Sequence, residues 1–293
     1  MEDLDKWKKA GKIAAEVREY GKSLVAPGKT VLEITELLEK KIEELGAKPA
    51  FPPQLSLNEA AAHECADPDD NVVLLDQLVK VDVGVHIDGC MSDNATTVDL
   101  SGKYADLIDA TQEALKLAIE SMRPGTEVRE IGAIIENTIN LRGYEPIRNL
   151  SGHGLGRYIV HAPPSIPNHD NGDRKKLEEG MIFACEPFGT PGNGLIKEFG
   201  APRVFMQESK KPVRDAFSRD ILAHIETYKG LPFARRWLLM KFPKPKVDFA
   251  LRTLVQTGNI RAYPPLVEVS KRAVAQAEHT LLVTKDGVEI LTQ

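Results

Sequence analysis

Two aspartates, Asp82 and Asp93, stand on either side of an Asp88-Gly89 pair within Val81 to Val98. Asp-Gly between alternating apolar residues is a strong local signal for a tight β-hairpin, because both turn positions accept a positive φ. A turn at that pair sets Ile87 opposite Cys90 and Gly84 opposite Asp93. Asp82 then shares a sheet face with Asp93, diagonal to it, with the carboxylates roughly 5–8 Å apart. Gly84, facing Asp93, is expected to leave open space above the sheet. A carboxylate buried in an apolar strand needs a partner. For two on one face, a metal ion is the economical one.

Three further residues could join them. His153 sits in Asn149-Leu150-Ser151-Gly152-His153-Gly154-Leu155-Gly156, followed by His161-Ala162-Pro163-Pro164. Glycines on both sides clear side chains away, so that backbone can approach a ligand. The stretch lacks the Walker lysine and the GxGxxG spacing, which argues against a phosphate cradle. Glu186 ends the apolar run Met181-Ile182-Phe183-Ala184-Cys185, and Glu278 precedes His279-Thr280-Leu281-Leu282-Val283. Each residue by itself is as well read as an ordinary strand or surface group. His86, His169, His224 and His279 keep that ordinary reading.

The elements that must position these groups come in two copies. Leu4, Trp7, Ala10, Ala14 and Val17 recur at helical spacing up to about Val25, where Ala26-Pro27-Gly28 stops the helix. A second helix runs from about Val31 to Leu45 and ends at Gly46. Moving 97 residues on, Pro27, Gly28, Val31, Glu33 and Ile34 recur as Pro124, Gly125, Val128, Glu130 and Ile131. Glu39, Ile42, Gly46 and Pro49 recur as Glu136, Ile139, Gly143 and Pro146 without a gap. This is the pattern of an internal duplication with domain-sized halves, not of a many-repeat solenoid. A strand follows each repeated helix, and a shift of 104 brings Asp82 onto Glu186, so each half contributes a matching acid. The fold class is α/β, or α+β, with pseudo-two-fold halves.

From about Lys210 to Val269 the texture changes to a mainly helical insertion, with a helical pattern over Val247 to Gln256 and a break at Gly258-Asn259. The boundaries predicted are residues 1–209 with 270–293 for the main domain, and 210–269 for the insertion. Strand pattern resumes at Ala275 and turns at Asp286-Gly287.

Composition bounds the function classes. With 42% hydrophobic residues the 293-residue chain can bury a substantial core. A net charge of -5 gives no general affinity for nucleic acid. Cys65, Cys90 and Cys185 are odd in number and form no CxxC, so neither a disulfide framework nor a zinc ribbon is expected. No apolar run reaches the ~18 residues of a membrane span. The opening Met1-Glu2-Asp3-Leu4-Asp5-Lys6-Trp7 has no leader-like apolar core. A cytoplasmic protein is the expectation.

Asp82, Asp93, His153, Glu186 and Glu278, in that order and in these contexts, resemble the five-ligand metal site shared by methionine aminopeptidases, aminopeptidase P and prolidase. The duplicated pita-bread fold is common to that group. Two features resemble the type II methionine aminopeptidases in particular. One is Ala50-Phe51-Pro52, leading through Ser56-Leu57-Asn58-Glu59 to Ala61-Ala62-His63. The other is the roughly 60-residue insertion before the last ligand, with its Leu231-Pro232-Phe233-Ala234-Arg235-Arg236-Trp237 segment. The chain resembles the short form, without a long charged extension. It departs from the family pattern at Ala277 and at Glu64-Cys65, where aromatics are usual, and such changes bear on the pocket lining or the choice of metal.

The resemblance implies removal of the initiator methionine from nascent polypeptides with a small second residue. Two divalent ions (Co, Mn, Fe or Zn) would share an attacking hydroxide. Asp93 and Glu278 would bridge them, Asp82 would chelate one, and His153 and Glu186 would complete the other. Glu186 would also relay a proton. His63 and His161 would bind substrate and stabilise the tetrahedral intermediate, and Phe51 would wall the methionine pocket. A monomer, with the ribosome as an allowed partner, is the family expectation. The alternatives are a prolidase- or aminopeptidase P-like peptidase, and a non-catalytic pita-bread scaffold on ribosome or RNA.

Overall fold

The computed structural model describes residues 3–293. Met1 and Glu2, at the head of the acidic opening, lie outside them. Helix α1 (Leu4–Leu24) buries the predicted stripe of Trp7, Ala10, Ala14 and Val17. A Cβ on its Gly21 would lie 2.8 Å from Val81, so the missing side chain lets the helix pack closely on the sheet below. Helix α2 (Val31–Glu44) starts at Thr30, whose hydroxyl accepts the Glu33 N–H at 3.1 Å. It stops at Gly46, which holds a φ of 75°.

Five strands complete the first half: β1 (Lys48–Pro49), β2 (Gln54–Leu57), β3 (Ala60–Ala62), β4 (Leu78–Ile87) and β5 (Cys90–Asp99). β4 pairs with β1 and β2 along one edge and with β5 along the other. The hairpin register is the predicted one, with Ile87 opposite Cys90 and Gly84 opposite Asp93. Val79, Val81, Val83 and Val85 point to the helix side and join Ile34, Leu38 and Ile42 in one core.

The second half repeats this plan. It holds α3 (Ala105–Ser121), α4 (Val128–Leu141), β6 (Glu145–Pro146), β7 (Ser151–Gly156), β8 (Ile159–Pro167), β9 (Ile182–Cys185) and β10 (Phe188–Thr190). Both ends of α2 and of β1 recur 97 residues on, as the ends of α4 and β6. The backbone repeats as well. Gly28 donates to the Leu74 carbonyl and Gly125 to that of Leu177, each at 2.8 Å, with φ of 89° and 91°.

The remaining strands and α-helices are β11 (Ile196–Glu198), β12 (Val204–Gln207), α5 (Ala216–Ile225), β13 (Phe233–Ala234), α6 (Arg235–Leu239), α7 (Lys244–Gln256), β14 (Ile260–Tyr263), β15 (Leu266–Glu268), β16 (Ala275–Gln276), β17 (His279–Val283) and β18 (Val288–Ile290), with a 3-10 turn at Glu226–Tyr228. Beside α5, α6 and α7 stands a three-stranded sheet, β13-β12-β14, which draws in Val204–Gln207. β15 pairs instead with β11 and β3. β18, β17, β9, β7 and β8 form the five-stranded sheet of the second half. No helix among the described residues is long and apolar enough to cross a membrane. The three cysteines are free and buried.

Arginines fasten the segment that carries β12 through α7 to the first half. Arg236, only 3% exposed, donates to Glu39 on α2, and the Trp237 indole donates to the same carboxylate at 2.7 Å. Arg235 bridges Asp67 and Asp248, while Arg203 reaches Asp70 at 2.6 Å. Removing one partner of a buried pair strands the other charge, at a cost of ~3–5 kcal/mol. Arg236→Ala is therefore expected to lower unfolding free energy by about that amount in urea titration. A loss below ~1 kcal/mol would mean that Glu39 is solvated after the truncation.

Candidate metal centre

Asp82 on β4 and Asp93 on β5 take the expected diagonal on the same sheet face, Asp93 pairing with Gly84, two residues along from Asp82. The open space expected above Gly84 is not there. A Cβ on Gly84 would lie 2.1 Å from the Phe51 ring. The glycine lets an aromatic ring lie on the sheet beside the carboxylates, so the space is Phe51's own.

His153 enters from β7, where the pairing with β8 is irregular. Its flanking glycines serve strand packing. A Cβ on Gly152 would lie 2.2 Å from the Ala184 carbonyl oxygen, and one on Gly154 would lie 2.2 Å from that of Pro163. His153 Nε2 is 3.6 Å from Asp93 Oδ2 and 3.6 Å from Glu186 Oε1. Glu186 leaves the end of β9, and Glu278 occupies the break between β16 and β17. Ligand atoms of Asp93, His153 and Glu278 all lie within 4.8 Å of one another. The Gln276 amide donates to Glu278 Oε2 at 3.2 Å.

Burial pushes the Asp82 carboxyl up to about 7. It pushes Asp93, Glu186 and Glu278 well above the usual carboxylate range, and repulsion from neighbouring carboxylates adds to it. Burial also holds His153 down at about 3, with His161 as a lesser cause, so its imidazole is neutral and free to coordinate. Asp82 Oδ1 and Asp93 Oδ1 are buried without a hydrogen-bond partner among the described residues. Crowded carboxylates, orphaned oxygens and a neutral imidazole are what a hard, divalent cation completes.

A pH dependence follows. Folded-state carboxyl pKa values lie above the unfolded ones, so near neutral pH the metal-free native state keeps protons that the unfolded chain has released. A cation must displace those protons. Stabilisation by saturating Mn, read as the rise in Tm over the metal-free chain, is expected to grow from about pH 6 to 8. An equal rise at both ends would show that these carboxylates are already ionised.

The five residues open onto a cavity of about 730 Å³. Phe51, His63 and His161 line it too. His63 follows β3 with a φ of 63°, a left-handed conformation that its backbone N–H stabilises by donating to Gln54 Oε1. Burial, with a smaller push from His161, lowers the His63 pKa to about 4, and its Nδ1 has no partner among the described residues. The His161 ring packs edge-on against His153, centroids 4.5 Å apart. Gln54, Val204, Pro232, Arg261, Tyr263 and Leu266 complete much of the remaining wall. None of these six was expected from the sequence. Tyr263 meets the His63 ring edge-on at 5.4 Å and carries the Arg261 guanidinium 5.3 Å from its own centroid. Its one sequence signal is Tyr263-Pro264-Pro265, a chain-stiffening run at the end of a short strand. Ala277 packs in the core of the second half, and Glu64 accepts the Leu57 N–H at 2.7 Å. Neither they nor Cys65 line the cavity.

Comparison with known proteins agrees with this geometry. Residues 5–285 match the model of metallopeptidase family M24. The chain is 46% identical to a methionine aminopeptidase of Pyrococcus horikoshii, over 99% of this chain and 100% of that one. It is similar to the crystal structure of methionine aminopeptidase from Thermotoga maritima, with a TM-score of 0.71 and 26% identity over 99% of this chain and 96% of that one. A thermophilic Arx1 gives a TM-score of 0.87 at 18% identity, over 98% and 90% of the two chains, a likeness of fold alone. With the clustered carboxylates and histidine, the duplicated pita-bread architecture and full-length relatives in agreement, the chain belongs to metallopeptidase family M24.

Proposed function

We propose that this chain is a methionyl aminopeptidase, removing the initiator methionine from nascent polypeptides whose second residue is small, as a cytoplasmic monomer. The observation that carries this reading is one cavity that gathers four carboxylates, three of them buried, a neutral His153, and the non-ligand histidines His63 and His161. Asp82, Asp93, His153, Glu186 and Glu278 would hold two divalent ions (Co, Mn, Fe or Zn). When bound, these supply acidified water and a polarised scissile carbonyl near neutral pH.

The chain's own side chains do the remaining work. Glu186, its carboxyl raised by burial, takes the proton from the attacking water and returns it to the leaving amine. His63 donates to the carbonyl oxygen as charge develops on it. His161, which lines the same cavity, holds the substrate backbone. Phe51 and Tyr263 offer aromatic surface to a flexible thioether. The methionine pocket is closed in part by residues of the inserted region, Pro232 and Tyr263 among them.

A peptide panel tests this reading. Met-Gly-Met-Met is expected to be cleaved about 100-fold faster than its Leu-Gly counterpart, since the pocket discriminates by shape. Preferential release of residues that precede proline would favour the prolidase-like reading instead.

A further inference from the structure

The sheets of the two halves meet along a seam at the outer edge of β5. Asp93 N–H donates to Thr280 Oγ1 at 2.8 Å, and that hydroxyl donates back to the Asp93 carbonyl at 2.7 Å. Two residues along, Glu278 N–H donates to the Ala95 carbonyl at 3.1 Å. Two further, Gln276 N–H donates to Thr97 Oγ1 at 2.9 Å, and the hydroxyl donates to the Gln276 carbonyl at 2.7 Å. The spacing is that of an antiparallel ladder, in which threonine hydroxyls stand where backbone groups would. Both threonines are buried, and each hydroxyl accepts one bond and gives one.

The duplication relates the two stitches. Val81 maps onto Cys185 by the shift of 104 that takes Asp82 onto Glu186. Val81 pairs with Thr96, and Cys185 pairs with His279. The partner strand therefore maps by 183 residues, which takes Asp93 onto Gln276, Ala95 onto Glu278 and Thr97 onto Thr280. Thr280 does for Asp93 what Thr97 does for Gln276, and the Ala95–Glu278 contact lies between them. The same bond pattern at both symmetry-related positions marks a built feature of the interface. It also explains how carboxylates from different halves come together. Asp93 and Glu278 face each other across the seam, two ladder positions apart, so whatever fixes the seam fixes their separation.

We propose that Thr280 and Thr97 are positioning residues for the metal centre, their hydroxyls setting the spacing of Asp93 and Glu278. This rests on the metal-centre reading above. A valine in place of Thr280 keeps the shape but leaves the Asp93 N–H and carbonyl unpaired in the interior. A serine keeps both bonds.

The test is calorimetric titration of Mn into metal-stripped full-length protein, for the wild type, Thr280→Val and Thr280→Ser, with kcat and KM on Met-Gly-Met-Met. Thr280→Val is expected to raise the Mn Kd about 10-fold or more and to lower kcat at saturating Mn, with KM within about two-fold. Thr280→Ser is expected to stay within about three-fold of the wild type in Kd and kcat. Should Thr280→Val fail to fold, Thr97→Val takes its place under the same criteria. Wild-type Mn affinity and kcat in a valine variant that only melts lower would overturn the proposal, reducing the seam to ordinary packing. A wild-type chain that takes up no Mn would overturn the metal-centre reading itself.

Discussion

Asp93→Asn is expected to lower kcat on Met-Gly-Met-Met by about 10³-fold or more without unfolding the chain. Ligand atoms of Asp93, His153 and Glu278 lie within 4.8 Å of one another, and the Asp82 carboxyl is among the charges that act on Asp93. Asparagine keeps the shape and one oxygen but loses the charge that the centre needs to hold cations. In the metal-free chain that charge is a burden, because burial and the neighbouring Asp82 and Glu186 all oppose it. The metal-free variant should therefore melt no lower than the metal-free wild type at pH 8, and its Tm should respond weakly to Mn. Inactivity with a large Mn-induced rise in Tm would show that Asp93 acts in chemistry and not in holding the ion. Retained activity would remove it from the centre altogether.

His63→Ala is the second large effect. The His63 side chain touches no ligand carboxylate by hydrogen bond, yet it lines the cavity with one ring nitrogen unpaired and its pKa held at about 4. A neutral imidazole carries one ring N–H, and with Nδ1 unpartnered among the described residues that N–H is free to face the substrate. Loss of one donor to a developing oxyanion costs about 10²–10³ in kcat. That loss is expected in His63→Ala, with Mn affinity unchanged. Reduced Mn affinity in proportion to the lost activity would instead make His63 part of the ion-holding shell.

The parts legible in the sequence were those fixed by local chemistry or by repetition. Asp88-Gly89 sets a turn, the turn sets the register, and the register puts Asp82 and Asp93 on one face. The 97-residue repeat gave matching helix ends because Pro-Gly and Gly stops are local signals. Gly84 shows the limit of such reasoning. A glycine opposite a carboxylate says that something comes close, but not that it is the ring of Phe51, more than thirty residues earlier. Gly152 and Gly154 likewise make room for the backbones of β9 and β8.

Tyr263 and Arg261 stayed hidden for another reason. Their strand, β14, is four residues long and lies in a region whose strongest periodicity is helical. Its contact with His63 spans two hundred residues of chain. The seam was illegible as well. The apolar pattern runs as one strand through Ala275–Val283, whereas the ladder breaks at Ala277 and Glu278. That break lets Glu278 turn to the centre, and no pattern of apolar residues announces a threonine hydroxyl standing in for backbone.

The most direct test of the central claim is release of free methionine from Met-Gly-Met-Met and from Met-Leu, first by chelator-stripped protein and then after Mn or Co is returned. The account predicts no release without metal, restored cleavage of Met-Gly-Met-Met with it, and little cleavage of Met-Leu. A folded chain that releases no methionine with any divalent ion, or that works equally well when stripped, would contradict it.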